Sequence, residues 1–320
     1  MQENHVIWEN HPAQTGGILI AAFQGWNDAG NAASWTLRHL QEELQTTTFA
    51  RIQAENFYDF SESRPVVHLS KNGRKLDWPS NSFSVAPDQN VILLDGIEPQ
   101  LQWRTFVEQI VKVAEELGVS MVITLGSLLA EVPHSRPIKV YGFCEDLETS
   151  ERLNLKKSNY EGPTGIVGVL NQFIQQTNVP VVSLWATVPN YVSGAASPKA
   201  ALALIHRLQE ILPSPIESTD LDIASADYER QINELVSGDE DMRAHVMDLE
   251  YRYDNGEFEE ADPAPGFVED VERWLRDGAN PDPVSYTHLR AHETREDLVW
   301  PLILEKKKWG GGGGGGGGGG

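Results

Sequence analysis

Between residue 17 and about residue 215, short apolar runs alternate with segments whose apolar residues recur every three or four positions. The runs have the length of β-strands and cover residues 17–23, 91–94, 119–125 and 179–185. The helical segments cover residues 32–44 and about 101–117, and two more begin near Thr164 and at Ser197. Continuous apolar strands between helices predict an α/β fold with a largely parallel sheet covered on both faces.

Two further segments, residues 65–70 and 137–143, also have the composition of strands, which indicates a mixed sheet. Ser197 stands before Pro198, and this pair is typical of a helix start. The serine hydroxyl can accept a hydrogen bond from the first turn, and proline lacks only an N–H that would have no partner there. Residues 1–215 are therefore predicted to form one α/β core domain.

The composition changes beyond Pro215. Residues 216–282 contain 21 acidic and 5 basic side chains, a net charge of −16. Three apolar sets there have helical spacing, namely Tyr228, Ile232 and Leu235; Met242, Val246, Leu249 and Tyr253; and Phe267, Val271 and Trp274. They predict an acidic helical region, residues 216–283, whose apolar stripes pack on the core or on a neighbouring subunit. Its acidic faces are either solvated or a docking surface for a basic partner.

The last segment, residues 284–320, resembles the translation of a sequencing adapter. It ends in three lysines, a tryptophan and eleven glycines, which the codons AAA, TGG and GGG encode. A run of A followed by a run of G is what a sequencing read contains after it passes the end of a short DNA insert. We therefore interpret this segment as non-native and expect it to be disordered. The rest of the chain has 25 − 5 = 20 basic and 47 − 4 = 43 acidic residues, a net charge of −23.

Charge and composition restrict the partners and the compartment. A surface this acidic repels phosphate groups, so nucleic acids and anionic membranes are not expected partners. Residues 1–12 contain no apolar stretch typical of a signal peptide, and no apolar run reaches the roughly 20 residues that span a bilayer. Cys144 is the single cysteine, which fits a reducing, cytoplasmic location and a structural thiol.

Two loops after apolar runs carry side chains that could bind a ligand. Trp26, Asn27 and Asp28 follow the first run, where loops meet a helix N-terminus in an open α/β sheet. Asp28 and Asn31 could instead only cap that helix.

The loop after residues 119–125 holds His134 and Arg136 between two prolines, in a stiff and extended form. The two could bind an anion or serve in acid–base chemistry, or they could pair with acidic neighbours.

Two more segments are candidates. Gly165 lies in a glycine-rich helix entry that lacks the lysine of a phosphate-binding loop, so close helix packing is the alternative to a ligand site. Tyr191 follows the run at 179–185, at the same sheet edge if the strands are parallel. No nucleophile elbow and no paired-cysteine metal spacing occurs, so no catalytic residue, metal or cofactor is predicted. The histidines outside the tail are scattered singly, as is typical of surface or core-edge positions.

Five blocks in order resemble bacterial members of the proteasome assembly chaperone family. They are GGILIAAFQGWNDAGNAAS, ENFYDFSESRP, LGSLLAEVPHSRP, YEGPTGIVGVL and VPNYVSGAASPKA, within a resemblance that covers residues 5–283. The resemblance implies a three-layer α/β/α core with a mixed, mostly parallel sheet, similar to nucleoside phosphorylases and peptidyl hydrolases, plus a C-terminal helical arm. It also implies frequent self-association, and it supplies no established catalytic residues.

We therefore expect a non-enzymatic, homo-oligomeric protein that binds another protein, with proteasome subunits as the candidate partner. One alternative is a small-molecule-binding protein, or a hydrolase- or phosphorylase-like enzyme, in which Asp28 and His134 act as base and acid and Arg136 holds an anion. It requires these three side chains to converge in one cleft. A purely structural oligomer is a third hypothesis, and it requires the apolar stripes of the helical arm to be buried against a neighbouring copy.

Overall fold

The structure, a computed structural model, describes residues 4–12, 16–70 and 73–257. The strands are β1 (Val6–Trp8), β2 (Ile18–Gln24), β3 (Thr47–Ile52), β4 (Val66–Ser70), β5 (Gly73–Asp77), β6 (Asn81–Ala86), β7 (Val91–Ile97), β8 (Met121–Ala130), β9 (Val140–Phe143) and β10 (Val181–Pro189). The helices are α1 (Ala32–Glu43), α2 (Trp103–Glu116), α3 (Leu147–Leu153), α4 (Ile166–Ile174), α5 (Pro198–Gln209), α6 (Thr219–Ser237) and α7 (Glu240–Asp254). Each predicted apolar run and helix before residue 215 is present.

The four apolar runs form the centre of an eight-stranded sheet of order β1-β3-β6-β7-β2-β8-β10-β9. The neighbours β7-β2, β2-β8 and β8-β10 are parallel, and the remaining pairs are antiparallel. Two antiparallel steps separate β3 from β7, so β3 runs in the same direction as the central four, and five of the eight strands share one direction. The predicted mixed, mostly parallel sheet is confirmed.

Helices cover both faces of this sheet. Successive residues of a strand point to opposite faces, and in β2 Leu19 and Phe23 contribute to one buried cluster while Ile20 contributes to the other. The first cluster contains the apolar sides of α2 and α4, and the second contains those of α1 and α5. The molecule therefore has the three layers that the family resemblance implied.

The two additional predicted strands have different places. Residues 140–143 form β9, an antiparallel edge strand on β10, which accounts for part of the mixed character. Residues 66–70 form β4, which pairs with β5 in a separate two-stranded ribbon and is not part of the main sheet. The expectation that this segment makes the main sheet mixed is wrong. Its sequence lacks the long apolar run that burial between two helical layers requires.

Two of the expected helix caps differ in outcome. Ser197 precedes α5 and its side chain accepts a hydrogen bond from Ala200 N, as predicted. Asn31 occupies the cap position of α1, but its side chain makes no cap hydrogen bond, and the capping oxygen comes from Asp28. Asn31 has a φ of 51°, in the left-handed region where asparagine is tolerated.

The helices α6 and α7, named here the arm, pack on the core through α5 and the loop after β10. Tyr228, Ile232, Val236 and Val246 form a buried cluster with the partly buried Tyr191. The predicted stripe of α6 is wrong in one position, because Leu235 is 59% exposed and Val236 is buried. The third apolar set, the boundary of the arm beyond residue 257, and the tail at 284–320 lie outside the described residues. Within the described residues, no helix combines the length and apolar character needed to cross a bilayer.

Candidate functional site

The four central strands bring their carboxyl ends to one edge of the sheet. The neighbours β2 and β7 lead into α1 and α2, which cover opposite faces. In open α/β sheets such a change of side leaves a crevice between the two strand ends, and ligands commonly bind there. The residues that follow β2 and β7 therefore line the candidate ligand-binding crevice.

A glutamate organises this crevice. The carboxylate of Glu98, just after β7, accepts hydrogen bonds from Trp26 N at 3.3 Å, Asn27 Nδ2 at 3.1 Å and Ile166 N at 2.8 Å. Three chain segments thus meet on one carboxylate. We name Trp26, Asn27, Glu98, Gly165 and Ile166 the strand-end cluster. Within it Asn27 is 2% exposed, whereas the indole of Trp26 is 46% exposed.

Gly165 permits this close approach. A Cβ atom at this position would lie 2.3 Å from Asn27 Nδ2 and 2.8 Å from Glu98 Oε1. A side chain here would require the Asn27 amide and the Glu98 carboxylate, or the entry of α4, to shift. Close packing against Asn27 and Glu98 therefore gives Gly165 a structural role.

The carboxylate of Glu98 occupies the N-terminus of α4. Free N–H groups at a helix N-terminus attract anions, and here an internal carboxylate takes that place at Ile166. Glu98 was not among the residues predicted from the sequence. The signal was present, because Glu98 follows an apolar run at its carboxyl end, as Trp26 and Asn27 do.

Asp28 is buried at 5% exposure and caps α1. Its Oδ1 accepts from Ala33 N at 2.8 Å and from Ser34 N at 3.2 Å. The backbone of Asp28 also pairs with that of Ser127 in an isolated parallel bridge, which joins the loop after β2 to strand β8. Burial is the largest influence on the Asp28 carboxyl and raises its pKa. Asp28 therefore serves as a buried structural cap.

His134 and Tyr191 meet beneath the arm. The Tyr191 hydroxyl lies 2.7 Å from both His134 N and His134 Nδ1, and His134 Nε2 lies 3.1 Å from Asn233 Oδ1 on α6. Burial lowers the pKa of His134 and raises that of Tyr191 to about 12. The expected surface or core-edge position of the histidines is wrong for His134 and for His5, which are 1% and 5% exposed.

Arg136 binds the last turns of α7. Its Nε and Nη2 donate to the two carboxylate oxygens of Asp254 at 2.8 and 2.7 Å, and its Nη1 lies 3.2 Å from Glu250 Oε1. This two-pronged contact raises the pKa of Arg136 and lowers that of Asp254.

On α5, Lys199 Nζ donates to His134 O at 2.6 Å and to Glu229 Oε2 at 2.5 Å. We name His134, Arg136, Tyr191 and Lys199, with their partners on α6 and α7, the arm interface.

The seven predicted site residues thus fall into three places. Trp26, Asn27 and Gly165 share the strand-end cluster, and His134, Arg136 and Tyr191 share the arm interface; Asp28 caps α1. The contacts of Asp28 are with α1, while those of His134 and Arg136 are with the arm. The arrangement offers hydrogen-bonded support for loops and a helical arm, and it does not present Asp28, His134 and Arg136 together as a base, an acid and an anion holder.

Cys144, the single cysteine, is also in a structural setting. Cys144 is 3% exposed, and burial raises the pKa of its thiol, which disfavours the thiolate that a nucleophile needs. Among the described residues, no group of three or more histidine, cysteine, aspartate or glutamate side chains has the arrangement of a metal site.

This fold was compared with those of known proteins. None of the curated proteins matches the chain. A solved PAC2 family protein from Streptomyces avermitilis is 39% identical with a TM-score of 0.66, covering 72% of this chain and 99% of its own. A proteasome-assembly chaperone homologue from Mycobacterium tuberculosis is 36% identical with a TM-score of 0.65 and the same coverage. An archaeal proteasome activator from Pyrococcus furiosus, 18% identical with a TM-score of 0.59, covers 73% of this chain and 99% of its own and shares the fold.

The family model described as the PAC2 family matches residues 22–236, more than half of the chain. This range begins in β2, contains both the strand-end cluster and the loops of the arm interface, and ends near the last turn of α6. The resemblance to assembly chaperones found in the sequence is confirmed at the level of the family. The chain belongs to the PAC2 family.

Proposed function

We propose that this protein is a non-enzymatic assembly factor that binds another protein, with a proteasome subunit as the partner. The proposal is supported by the relative from Mycobacterium tuberculosis, which is named a proteasome-assembly chaperone homologue. A cytoplasmic location, expected from the single cysteine, is part of the same proposal. The structural observation that carries it is the engagement of the reactive side chains at the strand ends.

Each candidate for catalysis already has a structural partner. The carboxylate of Asp28 is buried in the cap of α1, and both ring nitrogens of His134 are hydrogen-bonded. The guanidinium of Arg136 is held by Glu250 and Asp254. A general base or an anion holder must reach a substrate, and these groups reach helices of their own chain instead. The geometry therefore favours recognition over turnover.

Trp26 is the residue on which we centre the binding surface. Its indole is 46% exposed, while its backbone N–H is held by Glu98. A large aromatic side chain on an ordered loop loses little conformational freedom on binding, and tryptophan is enriched among residues that dominate interface affinity. The strand-end cluster thus presents an aromatic anchor on a rigid base.

The test measures binding of the purified chain to proteasome subunits of its own source organism. We expect the wild type to bind and Trp26→Ala to weaken binding about tenfold or more, as expected for an aromatic anchor. Leu147→Ala is the matched control, because Leu147 is an exposed apolar residue, 64% exposed, at the start of α3.

The control variant is expected to bind like the wild type. Failure of the wild type to bind any proteasome subunit, or equal binding by Trp26→Ala and the wild type, would overturn the proposal. Thermal unfolding of the three proteins verifies that Trp26→Ala retains its fold. Since Trp26 is half exposed, we expect its midpoint to match that of the control.

A further inference from the structure

The ribbon formed by β4 and β5 exposes one apolar face. Its register places Val67 opposite Leu76 and Leu69 opposite Arg74, all on the same side of the ribbon. Val67, Leu69 and Leu76 are 55%, 84% and 46% exposed. A two-stranded ribbon alone is marginally stable in water and is usually stabilised by packing against another element. This apolar face is therefore suited to docking.

The charge of the ribbon indicates what covers it. The ribbon and the two residues that precede it, 64–77, contain four basic side chains and one acidic side chain, a net charge of +3. The whole chain has a net charge of −22, so the remaining residues carry −22 − 3 = −25. The ribbon is thus a basic element on an acidic protein. A second copy of this chain offers an oppositely charged surface, whereas two ribbons facing each other would bring +3 against +3 and repel.

The arm provides the complementary surface. Residues 219–254 contain eleven acidic and three basic side chains, a net charge of −8. On the outside of α7, Met247 and Tyr251 are 62% and 68% exposed and lie one helical turn apart. Asp248 lies beside this pair; its side chain is 65% exposed, and its carboxylate is 4.0 Å from Arg252 Nη1 on the same helix. An apolar pair flanked by carboxylate matches an apolar face flanked by arginine.

We infer that the apolar face of the ribbon in one copy docks on the outer face of α7 in a second copy. Leu69 and Leu76 cover Met247 and Tyr251, and Arg74 lies against Asp248. The two surfaces are different parts of the chain, so copies can either exchange them reciprocally in a two-fold dimer or pass them on head to tail. Head-to-tail repetition closes into a ring when the rotation between copies allows it. This inference concerns self-assembly and is independent of the proposed proteasome partner.

The first experiment measures the mass of the full chain in solution by light scattering coupled to size exclusion. We expect the wild type to be larger than one chain and Leu69→Asp to be monomeric, because a carboxylate would be placed in the apolar contact and against an acidic arm. Leu147→Asp is the matched control, since Leu147 is also an exposed leucine and lies outside both surfaces. It is expected to keep the wild-type mass.

The second experiment uses charge reversal to test whether the ribbon contacts α7 of a second copy. Arg74→Glu is expected to raise the dissociation constant of the assembly about tenfold or more, because it places like charges in contact. Asp248→Lys in the same chain is expected to restore assembly, since the reversed pair is again complementary. Arg74 and Asp248 are both exposed, so neither change disturbs the core.

Three results would overturn the inference. The first is a monomeric wild type at concentrations of about 0.1 mM, where contacts of even moderate affinity are occupied. The second is an assembly that Leu69→Asp leaves intact. The third is an Arg74→Glu variant that stays dissociated when Asp248→Lys is added. That result would show that the ribbon does not dock on α7 of a second copy.

Discussion

Asp28 illustrates how a loop residue of catalytic type can have a structural role. Its carboxylate accepts two backbone hydrogen bonds from the first turn of α1, and its second oxygen is buried without a hydrogen-bond partner among the described residues. We expect Asp28→Ala to lower the free energy of unfolding by about 1–3 kcal/mol, because two buried N–H groups lose their acceptor. Asp28→Asn keeps one acceptor oxygen and should have a smaller effect. Urea denaturation of both variants measures the difference, and an unchanged stability of Asp28→Ala would contradict the capping role.

His134 is the buried histidine whose charge state affects attachment of the arm. Its contacts suit a neutral ring protonated at Nε2, which donates to Asn233 and accepts from the Tyr191 hydroxyl. Burial is the largest influence and lowers the pKa of His134. The carboxylates of Glu229 and Glu250 act in the opposite direction, and the ammonium of Lys199 adds to the lowering.

The lowered pKa of His134 gives a pH dependence with a definite sign. As the pH falls, the unfolded chain binds this proton first, near its ordinary pKa of about 6.5, while the folded protein resists it. The stability associated with neutral His134 is therefore complete above about pH 6.5 and is lost as the pH falls through the folded pKa. We expect the free energy of unfolding to decrease more between about pH 7.5 and about pH 5.5 in the wild type than in His134→Gln. Identical pH dependences of the two proteins would show that His134 does not contribute.

At the scale of secondary-structure elements, the arm is attached by polar contacts around a small apolar cluster. The ends of β8 and β10 supply the loops that carry His134, Arg136 and Tyr191, and α5 supplies Lys199. Each meets a side chain of α6 or α7, directly or through a shared partner. Two helices that would otherwise extend from α5 are thereby fixed over the carboxyl ends of two central strands.

Lys199 is the partly buried ion-pair partner in this attachment. Its side chain is 13% exposed and joins Glu229 on α6 to the carbonyl of His134. We expect Lys199→Met to lower the free energy of unfolding by about 1–3 kcal/mol, because it leaves a carbonyl and a carboxylate without their donor. Arg230→Met is the control, since Arg230 forms its ion pairs on the exposed side of α6, the helix that carries Glu229. This variant should have no measurable effect on stability. Equal effects of the two variants would count against a buried attachment.

At the scale of the whole molecule, residues 284–320 should contribute nothing to stability. A translated adapter has not been selected to pack on a protein, so its deletion should change the midpoint of thermal unfolding by no more than about 2 °C. Deletion from residue 216 onward is the contrasting variant. It removes the partners of Tyr191 and Lys199 and should lower the midpoint far more. A large loss of stability on removing residues 284–320 alone would contradict the adapter interpretation.

The layered core was predictable from the sequence because burial between two helical layers requires a recognisable pattern of apolar residues. A strand covered on both faces must be apolar at every position, as residues 18–23 are, and a helix on such a sheet must repeat its apolar residues every three or four positions. The start of α5 at Ser197 was equally local. Strands outside the sheet centre have a weaker apolar pattern, so residues 66–70 were recognised as a strand but assigned to the wrong sheet.

The candidate site depended on contacts between residues far apart in the chain. Glu98 joins segments 72 and 68 positions away, and Arg136 meets Asp254 across 118 positions. Periodicity and capping rules describe neighbours along the chain, so they selected Trp26, Asn27, His134 and Tyr191 as side chains at strand ends without identifying their partners. The sequence by itself determined the layers and the acidic helices, because local pattern and burial specify them, and the resemblance of five sequence blocks indicated the family. The capping role of Asp28 was open to prediction, because its partners Ala33 and Ser34 are five and six positions away. Only the tertiary structure decided that His134 and Arg136 are engaged, because their partners lie 99 and 118 positions away in the chain.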